Sequence, residues 1–258
     1  MSVFTTEITS DAIPSDNVIH QRLSKAYEVA VPFIQGDVLE LGCGEGRGID
    51  LIHPEAQSYL GLDKIEEIIN RLKRKYPQLN FESGSFPPVK IKDESFDTIV
   101  SFQVIEHIKN DRLFLEEIYR LLKPGGSALL STPNIKMTLS RNPWHQREYT
   151  NTQLTTLASE IFDEVEMKGI AGNDRVMEYH ERNRASVNKI MRFDFLNLEH
   201  KLPASILRLP YDFMNRLNRN KLLKKTDDLV TTITTADFSL KESQEDNLDL
   251  FLIVKKRN

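Results

Sequence analysis

Apolar positions in this 258-residue chain fall into two alternating rhythms. Short, nearly unbroken apolar runs occur at Asp37–Leu41, Ser58–Asp63, Leu79–Glu82, Phe96–Phe102, Ser127–Ser131, Val165–Ile170 and Leu248–Val254. Runs of that length read as strands, and continuous apolar character suits parallel strands covered on both faces. Between them apolar residues recur every three or four positions, as on one face of a helix. Leu23, Ala26, Tyr27, Ala30 and Val31 mark a helix over 18–34; Ile65, Ile68, Ile69, Leu72 and Tyr76 mark another, which Pro77 stops. Further helices are expected from Gly46 to just before Pro54, over Asp111–Leu122 and over Thr152–Phe162, with Pro124-Gly125-Gly126 as a turn. This alternation predicts an α/β fold, a doubly wound, mostly parallel seven-stranded sheet. Residues 173–235 break the rhythm and read as a helical insertion before the last strand. The expected organisation is a mobile tail over 1–16, a domain built from 17–172 and 236–258, and the insertion between its two parts.

In open parallel sheets ligands bind beyond the carboxyl ends of the strands, so motifs just after strands carry the chemistry. Val38–Gly48 reads V-L-E-L-G-C-G-E-G-R-G, with Glu40 followed by Gly42, Gly44 and Gly46 at alternate positions. Glycine lets backbone turn tightly or lie against a ligand where a Cβ would clash. The dinucleotide pattern G-x-G-x-x-G/A fails at Arg47, which disfavours a nucleotide-linked oxidoreductase, and a phosphate-binding loop would end in Gly-Lys-Ser/Thr. With no lysine in the loop and Glu40 and Glu45 flanking it, a ligand bearing positive charge and hydroxyls fits better than pyrophosphate. Asp63 closes the second strand, where a carboxylate can accept both hydroxyls of a ribose; capping the next helix is the competing role.

The E-x-G-x-G-x-G pattern resembles the first motif of class I S-adenosylmethionine-dependent methyltransferases. With Ser101-Phe102-Gln103-Val104-Ile105-Glu106-His107, Leu121-Leu122-Lys123-Pro124-Gly125-Gly126 and Ser131-Thr132-Pro133-Asn134, the chain is similar to the subgroup acting on small molecules, quinones, lipids and sugars. The resemblance covers Ile19–Ile170 and Leu248–Val254. It implies a Rossmann-like methyltransferase fold and S-adenosyl-L-methionine as cofactor. Glu40, Gly42, Gly44, Gly46 and Asp63 would hold that cofactor, with Phe102 and Gln103 beside it. Where many relatives carry an acid contacting the adenine amino group stands Ser85, which would hydrogen-bond the ring while Phe86 packs on it. Ile19-His20-Gln21-Arg22 resembles an H-x-x-R-Y helix that caps the cofactor, so Arg22 would pair with the methionine carboxylate. Leu23 replaces the aromatic residue there, and an ordinary surface arginine is the equal alternative. The Asn/Asp-Pro-Pro-aromatic tetrapeptide of base-methylating enzymes is replaced by Ser-Phe-Gln-Val, which argues against nucleic acid. Ubiquinone O-methyltransferases carry a metal-binding E-x-x-E-H at this point, and Gln103 replaces its first glutamate. Loss of a hard oxygen ligand weakens a Mg²⁺ site, so no metal is expected.

A sulfonium methyl is already activated, so the protein has mainly to align a nucleophile and exclude water. A hydroxyl nucleophile also gains from a base within hydrogen-bond reach. The candidates are His107, His145 and Glu148. His107 opens a helix and could serve only its turn. Asn142-Pro143-Trp144-His145-Gln146-Arg147-Glu148-Tyr149 follows the fifth strand and is similar to N-P-x-H-x-x-E-Y/F-T segments that border substrate in related methyltransferases. A lid stapled by Trp144 and Tyr149, with His145 merely solvated, is the alternative.

The net charge of −4 makes no general demand for nucleic acid or an anionic membrane. Cys43 is the one cysteine, which fits a reducing compartment and a small packing residue rather than a catalytic thiol. No run reaches the ~20 apolar residues of a membrane span, and the polar first 16 residues lack a secretory apolar block, so a cytoplasmic protein is expected. The local charge of the insertion is the opposite: between Arg182 and Lys225 eleven Lys or Arg face three acids, interleaved with Leu202, Ile206, Leu207, Leu209, Phe213, Met214 and Leu217. Pro203 and Pro210 are expected to break its helices. A lid with solvated bases, a peripheral contact with an anionic membrane or lipid-linked substrate through 182–225, and a grip on RNA phosphates all fit. The expected activity is methyl transfer to an oxygen or nitrogen of a small molecule, glycan or lipid-linked precursor. An RNA-modifying methyltransferase and a non-catalytic cofactor-binding scaffold are the alternatives.

Overall fold

The computed structural model describes residues 13–192, 198–225 and 227–258. Eight strands form one sheet: β1 (Asp37–Leu41), β2 (Ser58–Asp63), β3 (Asn80–Ser83), β4 (Phe96–Phe102), β5 (Leu122–Pro133), β6 (Glu164–Gly172), β7 (Phe238–Glu242) and β8 (Asp249–Lys255). The helices are α1 (Asn17–Ala30), α2 (Ile49–Ile52), α3 (Glu66–Lys75), α4 (Asp111–Leu121), α5 (Asn151–Ser159), α6 (Asp174–Met191), α7 (Leu198–Lys201), α8 (Ala204–Lys225) and α9 (Asp227–Thr232).

The strand order is β3-β2-β1-β4-β5-β8-β6-β7. Neighbours from β3 to β5 are parallel, whereas β8 lies antiparallel between β5 and β6, and β7 antiparallel on β6. Successive strand residues point to opposite faces. Val38, Val100 and Leu129 therefore join Ala26, Ile69, Leu72 and Val176 in one core. Leu39, Ile99 and Leu130 join Phe114, Ile118 and Leu154 in the other. The order reverses between β1 and β4, so the crevice for a ligand opens beyond the carboxyl ends of those two strands.

The α/β class holds, with one strand more than the seven expected. The extra strand is β7, whose short alternation of Phe238 and Leu240 is too brief to stand out in sequence; it covers the otherwise open edge of β6. Pro124-Gly125-Gly126 is a bulge inside β5, where the register against β4 shifts. Pro203 lies between α7 and α8, but Pro210 sits within α8. Its position is exposed, where water can take up the carbonyl that a proline leaves unpaired.

Residues 1–12, most of the expected tail, lie outside the described residues. Its last part is not loose: Pro14–Asp16 form a 3-10 turn in which Ser15 and Asp16 are buried. Asp16 Oδ1 accepts from Arg216 Nη1 at 2.7 Å and Arg219 Nη1 at 3.0 Å, fastening α8 to the start of α1. Asn17 Nδ2 likewise donates to the carbonyls of Val230 and Ile233. Among the described residues no helix is long and apolar enough to cross a membrane.

Candidate active site

The loop leaving β1 is held open by glycines in the left-handed region. At Gly42 (φ +81°) a Cβ would lie 2.4 Å from a Val104 methyl, whereas at Gly44 (φ +48°) it would meet nothing within 4 Å. The first glycine is thus demanded by packing and the second leaves space for a ligand. Gly44 borders a cavity of about 370 Å³ together with Gly42, Asp63, Ser85, Phe86 and Phe102. Asp63 Oδ2 accepts from Gly44 N at 2.9 Å, and Oδ1 from Ile65 N at 2.9 Å. Each carboxylate oxygen has a second lone pair, so Asp63 shapes the cradle and can still accept from ligand hydroxyls. Phe86 is backed by Phe114 in a stacked pair, and Phe102 packs edge-on against Tyr27.

Three expected cofactor contacts lie elsewhere. Glu40 is buried beneath the loop, accepting from Tyr27 at 2.7 Å and from Tyr59, and does not line the cavity. Burial pushes its carboxyl up to about 7, against the two phenol hydrogen bonds. Gly46 also faces away, toward Ile49 and Leu72. Arg22 places Nε 3.1 Å from the fully buried carboxylate of Asp249 on β8, because that charge needs a counter-ion there; it borders a second cavity instead.

That second cavity, about 240 Å³, adjoins the first: Leu23, Gln103 and His107 line both. Gln103 marks the seam with a left-handed backbone (φ +58°), held by its N–H donating to Ser131 O at 2.8 Å. A non-glycine residue in that region is strained and persists only where surrounding structure insists on it.

All three candidate bases line the second cavity. Trp144 N–H donates to Asn142 Oδ1 at 3.0 Å, which turns Asn142 Nδ2 toward His145 Nε2 at 2.8 Å. His145 Nε2 is therefore an acceptor, and Nδ1 carries the proton that it donates to Glu148 Oε1 at 2.6 Å. The other oxygen of Glu148 accepts from Thr138. His107 Nδ1 donates to the Trp144 carbonyl at 3.0 Å, and its ring stands edge-on to His145 at 4.9 Å. Burial, reinforced by His145, pushes His107 down to about 4, so it is neutral near pH 7. Buried Glu106 lies beneath them, raised to about 7 by burial and held by Thr132 at 3.0 Å. Ligating atoms of Glu106, His107 and His145 come within 4.8 Å of one another. Thr138 is absent from the sequence analysis of the site, and Asn142 and Glu106 stand there only inside quoted segments, beside His145 and His107, with no role of their own.

A methyltransferase-domain family model matches residues 39–130. A protein of Mycolicibacterium smegmatis named "Probable S-adenosylmethionine-dependent methyltransferase" is 32% identical, covering 96% of this chain and 93% of its own. The phthiotriol/phenolphthiotriol dimycocerosates methyltransferase of Mycobacterium tuberculosis is 31% identical over 46% of each chain. Among solved structures, an S-adenosylmethionine-dependent methyltransferase from Archaeoglobus fulgidus has the same fold (TM-score 0.56, 15% identity, 92% of this chain and 94% of that one). The open glycine cradle beside a carboxylate, at the reversal of strand order, agrees with the near full-length relative, and this chain belongs to the class I S-adenosylmethionine-dependent methyltransferases.

Proposed function

We propose that the enzyme methylates a hydroxyl oxygen of an acceptor held in the chamber around His145, with His145 as general base and Glu148 as the group that orients it. The observation that carries this reading is the His145–Glu148 pair at 2.6 Å, in a cavity that shares Gln103 and His107 with the glycine-loop cavity.

Bound S-adenosylmethionine supplies an activated sulfonium methyl. The backbone at Gly42 and Gly44 would make room for it, Asp63 would accept from the ribose hydroxyls, and Ser85 and Phe86 would meet the adenine. Phe102 and Gln103 would close the methionyl end, with Glu40 supporting the loop from below. The acceptor hydroxyl takes the place of the Asn142 amide as donor to His145 Nε2. With S-adenosylmethionine bound, the acceptor oxygen would bond to the methyl as the methyl–sulfur bond breaks and S-adenosylhomocysteine leaves; His145 Nε2 would take up the hydroxyl proton, and Glu148 would stabilise the imidazolium. His107, neutral and tied to the Trp144 carbonyl, walls the passage. The scheme uses no metal; a cation between Glu106 and the two histidines would compete with the acceptor for His145 Nε2.

Tyr179, Asn183, Tyr211 and Asn215 give the chamber hydroxyl and amide groups suited to a polyhydroxylated or lipid-linked head. The phthiotriol/phenolphthiotriol dimycocerosates that the Mycobacterium tuberculosis relative is named for support the lipid-linked option. The test is S-adenosylhomocysteine release across a panel of hydroxylated acceptors before and after chelation. His145→Ala is expected to lower kcat by about 10²–10⁴-fold while calorimetric affinity for S-adenosylhomocysteine stays unchanged; undiminished turnover removes His145 from the mechanism.

A further inference from the structure

Of the seven large hydrophobic residues exposed among the described residues, five lie on α8: Ile206, Leu209, Phe213, Met214 and Leu217. Leu209 is 82% exposed and Phe213 64%. At about 100° per residue, Ile206, Leu209, Phe213 and Leu217 form one stripe down the outer face. A contiguous apolar stripe of this kind marks an interaction surface rather than a solvated one.

The inner face of the same helix borders a groove of about 350 Å³, walled by Val187, Ile190 and Met191 of α6 and by Leu207, Pro210 and Met214 of α8. The groove meets the His145 chamber at Ser140, Val187, Tyr211 and Asn215, which line both. At its other side Met214 belongs at once to the groove and to the exposed face. An apolar path therefore runs from the polar chamber to the outer stripe.

Charge decides what covers that stripe. Lys221 and Lys224 are exposed on α8, and Lys224 falls in line with the stripe; Lys189, Arg192 and Lys201 are exposed nearby. The one acid on α8, Asp212, is engaged by Trp144 Nε1 at 3.2 Å. Apolar residues bordered by cations match the headgroup boundary of an anionic bilayer.

We propose that the outer face of α8 docks on an anionic lipid bilayer and that the groove between α6 and α8 takes the hydrocarbon tail of an amphiphilic acceptor, whose polar head enters the His145 chamber. The proposal rests on that chamber being the acceptor site. The groove accommodates the apolar portion while the hydroxyl to be methylated reaches His145, and the stripe lets the molecule enter without crossing water.

Sedimentation of the full chain with sucrose-loaded vesicles tests docking. Binding is expected to phosphatidylcholine mixed with phosphatidylglycerol, not to phosphatidylcholine alone, and to weaken with salt. Leu209→Ser/Phe213→Ser/Leu217→Ser is expected to lower the bound fraction about tenfold with unchanged calorimetric affinity for S-adenosylhomocysteine, as these side chains touch neither cavity. Vesicles with brominated acyl chains test the groove. Trp144, the only tryptophan, stacks on Arg208 of α8 at 4.2 Å beside the groove, so a tail seated there quenches its fluorescence. Met214→Arg is expected to reduce that quenching while the protein still sediments. His145→Ala is expected to sediment normally, so failure of docking and failure of the base are read separately. A wild-type chain that binds S-adenosylhomocysteine but ignores anionic vesicles overturns the proposal. So does a triple variant that sediments undiminished, preferential binding of RNA, a dimer that the triple variant dissolves, or bound protein with unquenched Trp144.

Discussion

His145 and Glu148, three positions apart in the loop after β5, face each other at 2.6 Å, and Thr138 donates to the far oxygen of Glu148. The carboxylate thus holds the imidazole in one tautomer with Nε2 as its basic atom. Glu148→Gln keeps the shape and removes the charge that offsets a protonated ring. Its kcat is expected to fall about a hundredfold with KM for S-adenosylmethionine unchanged. A matching rise in that KM would show instead that the loop supports the cofactor cavity.

The two glycines of the cradle separate packing from binding. Gly42→Ala drives a Cβ into Val104 at 2.4 Å in a left-handed backbone, and is expected to cost about 2 kcal/mol of stability. Gly44→Ala meets no protein atom within 4 Å and is expected to cost about 1 kcal/mol, yet weaken S-adenosylhomocysteine tenfold or more because its methyl fills the cavity. Thermal melts and calorimetry on both variants check the contrast. Unchanged affinity in Gly44→Ala would place the ligand elsewhere.

Burial lifts Glu40 from its ordinary value of 4.5 to about 7. Between those values the folded chain keeps a proton that the unfolded chain releases. The stability this provides is complete below about 4.5 and disappears as pH rises through 7. Glu40→Gln cannot ionise. The stability of the wild type relative to Glu40→Gln is therefore expected to be greatest at or below about pH 4.5 and to decline by up to about 3 kcal/mol by pH 8. Melting curves of both proteins across that range measure the difference, and a constant gap contradicts the buried-carboxyl account.

Asp16 is fully buried against Arg216 and Arg219. Asp16→Ala would leave Arg219, itself buried, without its counter-charge, at an expected cost of about 3–5 kcal/mol. Urea unfolding reports this directly. A loss below 1 kcal/mol would mean that water reaches the pair.

What sequence could reveal follows from the range of the interactions. The glycine loop, Asp63 and the alternation of β1 to β5 with their helices are local patterns, and each lies where the pattern put it. The partners of Arg22 and Glu40 are not legible in the local pattern because they are distant in sequence: Asp249 on the last strand and the phenols of Tyr27 and Tyr59. β7 carries too few residues for its period to register, and Pro210 sits in a helix whose outward side tolerates it. His145 and Glu148 were visible as residue types in a loop. Their shared proton depends on how Trp144 orients Asn142, which no spacing rule encodes.

Trp144 also ties together parts of the molecule that the chain visits far apart. Its indole touches α8 through Asp212 and Arg208, its amide steers Asn142, and its carbonyl accepts a hydrogen bond from His107 Nδ1. A tilt of α8 therefore reaches both imidazoles through one rigid side chain. On the roles proposed for His145 and α8, the alignment for proton transfer would follow whatever the helix rests against, and catalytic competence would depend on where the enzyme is parked as well as on what it holds.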